Sequence, residues 1–297
     1  MLRILLCLLL MLTRALSVAT RMSSTFVKHS LGSADSNMEL AVVSMFSDNY
    51  GYILIDKERK EACLVDPADP PPVMSALKEM GVTPTQLWCT HYHADHQGGN
   101  AAFKSAYPDM EILGPSKEKI DVIDRKLEDG TTFKFGDMDV SVMHVPCHTK
   151  GHIAFYGEKK SGGVRILAAG DNLFAGGCGR FFEGTAEQML NNMDRLGQLP
   201  EDTVVCPAHE YTEANYRFLN SLDPAGVGAV FKQVQATRAE GKYTVPTTIG
   251  AEKKTNYFMK CNEAHVQAVV ADAAGVDVNG NAVQTMQILR EMKNAFK

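Results

Sequence analysis

Three histidines and an aspartate fall within six residues of the segment Thr90-His91-Tyr92-His93-Ala94-Asp95-His96, and Gly98-Gly99-Asn100 follows directly. Imidazole nitrogens and carboxylate oxygens are donors that zinc, iron and manganese accept. A solvated polar loop is the plain alternative, but it does not account for such a density of donors. Six consecutive residues cannot enclose one ion, and donors two positions apart are expected to diverge. More ligands from elsewhere in the chain, or a second ion, are therefore required.

Further donors stand just past stretches that read as strands. Residues 140–145 lead to His148, 164–168 to Asp171 and 203–206 to His209. Each taken alone would be an ordinary structural residue. Open α/β sheets collect ligand sites beyond the carboxyl ends of their strands, so the shared placement points to one site. His152 follows His148 closely enough to support it. Asp66, at the end of a strand over 62–65, could orient a ligand histidine as outer carboxylates do, or could simply serve a turn. His144 lies inside a strand and reads as packing. His29 and His265 are isolated and read as ordinary residues.

The elements that must position these donors follow from local pattern. Strands are expected over 40–45 and 52–56, joined by a turn at Ser47-Asp48-Asn49, and over 62–65 and 86–90. A helix over 73–80 should stop at Gly81, and another over 101–107 has Asn100 as its expected N-cap. Residues 38–209 thus form an α/β catalytic unit. Residues 210–297 read as a smaller helical domain for substrate binding, with helices over 210–222, 229–239, 263–274 and 282–296.

Of the 297 residues, 45% are hydrophobic and 22% charged, as in a folded globular chain. A net charge of −5 argues against a nucleic-acid binder, yet a few local cations can serve an anionic substrate. The seven cysteines (7, 63, 89, 147, 178, 206, 261) are scattered, odd in number and lack a CxxC pair, which suits a reducing compartment. Residues 1–37 read as a removable leader outside the fold. The apolar run 4–12 is too short to span a bilayer and has the length of a signal-peptide core. Arg14, Arg21 and Lys28, with several serines and no acid before Asp35, suit a transit peptide. The mitochondrial matrix is the favoured destination; a secretory or plastid route, or a cytosolic form started at Met38, are alternatives. No later stretch looks transmembrane, so no stable membrane association is expected, and a monomer is the default.

The HxHxDH cluster with its later donors resembles the metallo-β-lactamase superfamily. That resemblance implies a four-layer αβ/βα sandwich with metals at one edge of its sheets. Over residues 38–297 the chain resembles the glyoxalase II (hydroxyacylglutathione hydrolase) family within it. The matching segments are Asp48-Asn49-Tyr50, Val65-Asp66-Pro67, 90–100, 146–152, Gly170-Asp171, Gly177-Cys178-Gly179-Arg180, Glu183-Gly184-Thr185, His209-Glu210-Tyr211-Thr212, Thr244-Val245-Pro246 and 289–293. The family pattern implies two divalent ions, with zinc the first choice and iron or manganese open. His91, His93 and His148 would hold one, Asp95, His96 and His209 the other, and Asp171 would bridge. The implied reaction is hydrolysis of an S-2-hydroxyacylglutathione thioester, such as the D-lactoyl form, in the second step of methylglyoxal removal. A metal-bridging hydroxide, held with Asp95 and Asp171, would be the nucleophile. The departing thiol has a pKa of roughly 8.5, so no separate general acid is needed. Arg290 and Lys293, three apart on one helical face, would grip the glycine carboxylate, with Arg180 and Tyr211 nearer the cysteinyl part.

Four departures from the family pattern stand out. Phe182 takes the place of a common tyrosine, Ala169-Gly170-Asp171-Asn172 replaces Thr-Gly-Asp-Thr, Ala208 replaces a glycine, and 256–260 reads Asn-Tyr-Phe-Met-Lys. None removes a ligand. The rival within the superfamily is a single-iron glutathione persulfide dioxygenase, which lacks the long helical C-terminal domain and its basic pair. A metal-stabilised binding protein without turnover, a lactonase and a nuclease are more distant alternatives.

Overall fold

The computed structural model describes residues 26–296. Strands β1 (Phe26–Ser30), β2 (Met38–Met45), β3 (Asn49–Asp56), β4 (Glu61–Val65), β5 (Thr83–Trp88), β6 (Glu111–Pro115) and β7 (Arg125–Leu127) form one sheet in sequence order. Pairing is antiparallel from β1 to β4 and parallel from β4 to β7. The second sheet runs β15-β14-β11-β10-β9-β8, from β8 (Thr132–Phe135), β9 (Met138–His144), β10 (Ile153–Lys159), β11 (Val164–Gly170), β14 (Val204–Pro207) and β15 (Thr247–Thr248). A small hairpin, β12 (Leu173–Phe174) with β13 (Gly177–Cys178), leaves the end of β11.

Alternation along β2 shows why the sheets stack. Leu40 and Val42 join Leu54, Trp88, Val140, Phe155 and Ile166 in the core between the sheets, where Trp88 stacks on Phe155 at 5.0 Å. Ala41 and Val43 face the other way, with Ile53, Leu64 and Leu87, against helices α1 (Pro70–Met80) and α3 (Asn100–Ala106). On the far side of the second sheet, Met143 and Leu167 pack with Leu190 and Met193 of α4 (Ala186–Gly197). The result is helix, sheet, sheet, helix: the expected four-layer αβ/βα sandwich. The third apolar cluster continues into the C-terminal helices α5 (Thr212–Leu222), α6 (Pro224–Ala239), α7 (Ile249–Thr255), α8 (Ala264–Ala274) and α9 (Ala282–Ala295) through Phe218, Leu219, Phe258 and Leu289. A single-turn helix, α2 (Ala94–Gln97), lies within the histidine cluster.

Three local expectations need correction. Residues 26–37 are not outside the fold: β1 pairs with β2 from Phe26↔Val43 to Ser30↔Glu39, and Leu31 is buried. Asn37 donates to Asp56 Oδ1 at 2.9 Å and accepts from the Lys159 ammonium at 2.7 Å. A basic, polar composition is what an edge strand tolerates, so composition alone misassigned this stretch. The leader reading of residues 1–25 lies outside the described residues. Asn100 is the first buried residue inside α3, not its cap, and Gly99 holds the cap position. The third correction is to α6, which starts at Pro224, five residues before the expected start, because Asp223 caps it by accepting from Gly226 N–H at 2.9 Å. Gly81 does end α1, at φ 66°.

Candidate metal centre and substrate pocket

The centre forms where β4, β5, β9, β11 and β14 run out into loops. Asp66 turns the chain at the end of β4 with φ 45°, a left-handed conformation that aspartate tolerates better than most residues. Its carboxylate accepts from Thr90 N–H at 2.8 Å and Thr90 Oγ1 at 2.6 Å, so it fixes the start of the histidine cluster. It also meets His96 Nδ1 at 3.0 Å. Gly99 lets the cluster's far end lie on the same turn, since a Cβ there would come within 2.0 Å of the Pro67 carbonyl oxygen.

All seven donors named from the sequence converge. His91 Nε2 and His93 Nδ1 are 3.0 Å apart, and His148 Nε2 is 3.1 Å from the same His93 nitrogen. The expected divergence of His91 and His93 is therefore wrong; residues i and i+2 of extended chain share a side. On the other flank, Asp95 Oδ2 lies 3.7 Å from His96 Nε2 and 3.5 Å from His209 Nε2. Asp171 stands between the groups. Its Oδ1 is 3.3 Å from both His96 Nε2 and His209 Nε2, and its Oδ2 is 3.2 Å from His148 Nε2.

The outward nitrogens are each held. His96 Nδ1 meets Asp66, His209 Nδ1 meets Asp48 at 2.9 Å, His148 Nδ1 meets the Arg180 carbonyl at 3.2 Å and His91 Nδ1 meets Thr90 Oγ1 at 3.0 Å. This turns Nε2 of these four rings toward the centre. Asn49 Nδ2 donates to Asp95 Oδ2 at 3.0 Å. His152 has the supporting role foreseen for it: it stacks on His91 at 4.7 Å, and its Nε2 accepts the Asp171 N–H at 3.1 Å. His144 instead meets the Lys150 carbonyl, and His265 pairs with Asp223 at 2.7 Å.

The two flanks differ electrostatically. Burial lowers the pKa of His93, and burial with neighbouring imidazoles lowers that of His91. His148 is brought down to about 4, mainly by burial. These rings stay neutral and keep free lone pairs. For His96 and His209 burial also acts downward, but Asp171, with Asp66 and Asp48, outweighs it and raises both. Burial pushes the Asp171 carboxyl up, yet His96 and His209 bring it well below the usual range.

A cation fits this donor chemistry. Nitrogens of three imidazoles that burial keeps neutral face one another at 3.0–3.1 Å, close to the separation of about 3.3 Å between ligand nitrogens on tetrahedral zinc. His96 Nε2 and Asp171 Oδ1 are buried without a hydrogen-bond partner. His91, His93 and His148 form one possible donor set, and Asp95, His96 and His209 an adjoining one.

A cavity of about 540 Å³ opens from this centre and is lined by Arg180, Phe182, Tyr211, Arg290 and Lys293. Tyr211 lies flat on His209, with ring centroids 4.6 Å apart. Arg290 is buried; its Nη1 donates to the Cys178 carbonyl at 2.9 Å, while its Nε finds no acceptor. Lys293 donates to the Ala214 carbonyl at 2.9 Å. Its pKa is brought down to about 8 by burial first, then by Arg290, Arg217 and Arg180. Phe182 is 59% exposed and faces His148 at 5.1 Å.

Sequence reasoning missed the roles of Asp48, Asn49 and Glu210. The β2–β3 turn docks on the loop after β14, through Tyr50 N–H to the Ala208 carbonyl at 2.7 Å and Glu210 N–H to the Asp48 carbonyl at 2.8 Å. Glu210 itself accepts from Tyr50 Oη at 2.7 Å and from Thr244 Oγ1 at 2.5 Å. The signals were the family-matching segments Asp48-Asn49-Tyr50 and His209-Glu210-Tyr211-Thr212, in which Asp48 and Asn49 read only as a turn and Glu210 carries no assigned role.

Comparison with known proteins agrees with this geometry. Residues 51–209 match the metallo-beta-lactamase superfamily, and residues 210–296 match the hydroxyacylglutathione hydrolase C-terminus. A hydroxyacylglutathione hydrolase of Thermosynechococcus vestitus is 40% identical over 77% of this chain and 90% of its own. Another, from Synechocystis sp., is 37% identical over 87% of this chain and 100% of its own. The chain belongs to the hydroxyacylglutathione hydrolase family. As a member of this family it is a metal-dependent hydrolase, and its adjoining His/Asp sets suggest a binuclear metal site. Solved structures share the fold. A metallo-beta-lactamase from Staphylococcus aureus superposes with a TM-score of 0.59 at 20% identity, covering 88% of this chain and 72% of that one. ETHE1 from Myxococcus xanthus gives 0.53 at 22% identity, covering 78% and 82%. No helix among the described residues is long and apolar enough to cross a membrane.

Proposed function

We propose that this hydroxyacylglutathione hydrolase cleaves the thioester of an S-2-hydroxyacylglutathione, such as the D-lactoyl form, to glutathione and a 2-hydroxy acid. In this reading His91, His93 and His148 hold one divalent ion, and Asp95, His96 and His209 hold the other. Asp171 serves both, and that is the observation that carries the reading: one buried carboxylate with an oxygen 3.3 Å from two imidazoles of one set and the other 3.2 Å from an imidazole of the opposite set. When bound, the two ions supply an activated water and positive charge for the developing oxyanion. Zinc is the favoured metal for nitrogen-rich sets of this kind.

The chain's own residues do the rest. Asp66 and Asp48 hold His96 and His209 by their Nδ1 atoms, so each keeps Nε2 directed at the centre. Glutathione brings two carboxylates, and the buried Arg290 guanidinium with Lys293 supplies cations in the wall of the cavity. Arg180 and Tyr211 line the same cavity, with Tyr211 flat on His209, and in this reading they meet the cysteinyl part. The thiolate leaves without a dedicated acid, given its roughly 8.5 pKa. The six described cysteines are all free and buried, which suits a reducing compartment that contains glutathione. The mitochondrial matrix is our preference, and a monomer the simplest assembly.

Thiol release from S-D-lactoylglutathione tests the reading, with oxygen uptake on glutathione persulfide measured in parallel. Release without uptake supports it. Uptake without release would replace it with the dioxygenase.

A further inference from the structure

A carboxylate that no sequence motif singled out lies just outside the donor sets. Glu118 sits on the connection between β6 and β7 and is 9% exposed. Its Oε1 accepts from the Thr149 hydroxyl and from Gly151 N–H, the latter at 3.1 Å.

The places of these partners in the chain matter. Thr149 follows His148, and Gly151 precedes His152, which stacks on His91. One buried carboxylate therefore holds, at two points, the loop that delivers His148 and leads to His152. Gly151 permits the approach, because a Cβ there would come within 2.3 Å of Glu118 Cγ. Glu183 makes a similar staple at the surface, accepting from Tyr92 Oη at 2.7 Å and Lys150 N–H at 2.8 Å. Water can substitute for an exposed staple of that kind. It cannot readily replace Glu118, whose loss would leave the buried Thr149 hydroxyl and Gly151 N–H without their acceptor. In the other donor set His209 and Asp95 have separate anchors in Asp48 and Asn49, while Asp66, which meets His96, also holds Thr90 beside His91.

We propose that Glu118 is a positioning residue for the His91, His93 and His148 set: by tying loop 148–151 to the β6–β7 connection it fixes the place of the His148 imidazole beside the other two, so that its loss weakens that set alone. The proposal rests on the reading that each set holds one ion.

The test is titration of metal-free protein with zinc against a chromophoric chelator, with the Tm of the metal-free protein measured alongside. The wild type should take up two ions per chain. Glu118→Ala should keep one tight ion and bind the other about 10–100-fold more weakly, the usual cost of losing an outer-sphere partner. Glu118→Gln, which retains an oxygen acceptor, should rescue most of that loss. Thr149→Val leaves the carboxylate in place and should give a smaller loss at the same site, a second route should Glu118→Ala fail to fold. In a His209→Ala background, which spares only the proposed set, Glu118→Ala should abolish tight binding of the remaining ion. Two unchanged affinities in Glu118→Ala would overturn the proposal while leaving the binuclear reading intact. Equal weakening of both ions in step with a lower Tm would overturn it too, by making the role merely structural. Failure of the wild type itself to bind two ions would instead overturn the reading beneath it.

Discussion

Replacing Lys293 by arginine or methionine separates its charge from its bulk. Burial and the nearby Arg290, Arg217 and Arg180 bring its ammonium from the ordinary 10.5 to about 8. At 1.36 kcal/mol per pKa unit this is about 3 kcal/mol of charging cost, and about 2 kcal/mol once solvent screening of a partly exposed group is allowed for. An incoming carboxylate relieves that cost, which gives the cavity an attraction for anions specific to the protonated amine. With a pKa near 8, about nine-tenths of the free enzyme carries the charge at pH 7 and about one-tenth at pH 9. The folded pKa is depressed, so the charge is present below it and lost as pH rises through it. In the wild type, KM for S-D-lactoylglutathione should rise through about pH 8. Lys293→Arg, charged throughout, should abolish that rise. Lys293→Met should raise KM at pH 7 by roughly 10–100-fold, the value of a charge-assisted hydrogen bond, with little change in metal content. A wild-type KM flat to pH 9, or a Lys293→Met KM unchanged at pH 7, would refute the reasoning.

Other outcomes follow from the same geometry. Asp171→Ala should lose paired metal binding and reduce kcat by at least ~10²-fold, checked by metal analysis with steady-state kinetics. Asp66→Asn keeps a residue suited to the left-handed turn but removes the charge facing His96 Nδ1. Chelator competition should show metal affinity about 10–100-fold weaker. Glu252 is buried and accepts from Gly176 N–H, Thr247 Oγ1 and Asn256 Nδ2, tying α7 to the β12–β13 hairpin and to β15. Glu252→Ala strands these donors and should cost about 3 kcal/mol, a Tm loss of roughly 6 °C or more by calorimetry.

The donors were legible because ligand chemistry is written in residue type. Histidine and aspartate crowded at 91–96 have few other uses, and the shared strand-end placement of His148, Asp171 and His209 marked residues that singly would have read as structural. Local pattern also gave several of the strands, such as β2 with its alternate residues buried on opposite faces, while the two-sheet sandwich came from the family resemblance. What could not be read depends on contacts between distant segments. Asp48 reaches His209 across 161 positions, and Glu118 reaches Thr149 across 31, with no local pattern to announce either. The N-terminal strand was misassigned for another reason. Edge strands and leaders share a basic, serine-bearing composition, and only pairing of Phe26–Ser30 with β2 distinguishes them. Phe182 was flagged as a lost hydroxyl, but its ring, 5.1 Å from that of His148, keeps an aromatic wall beside the centre.

The central claim, two ions acting on one thioester, is tested most directly by adding zinc stepwise to metal-free protein while recording thiol release from S-D-lactoylglutathione. The account predicts that turnover climbs until two equivalents are bound per chain and then levels off. Full turnover at one equivalent, or no thiol release at any loading, would contradict it.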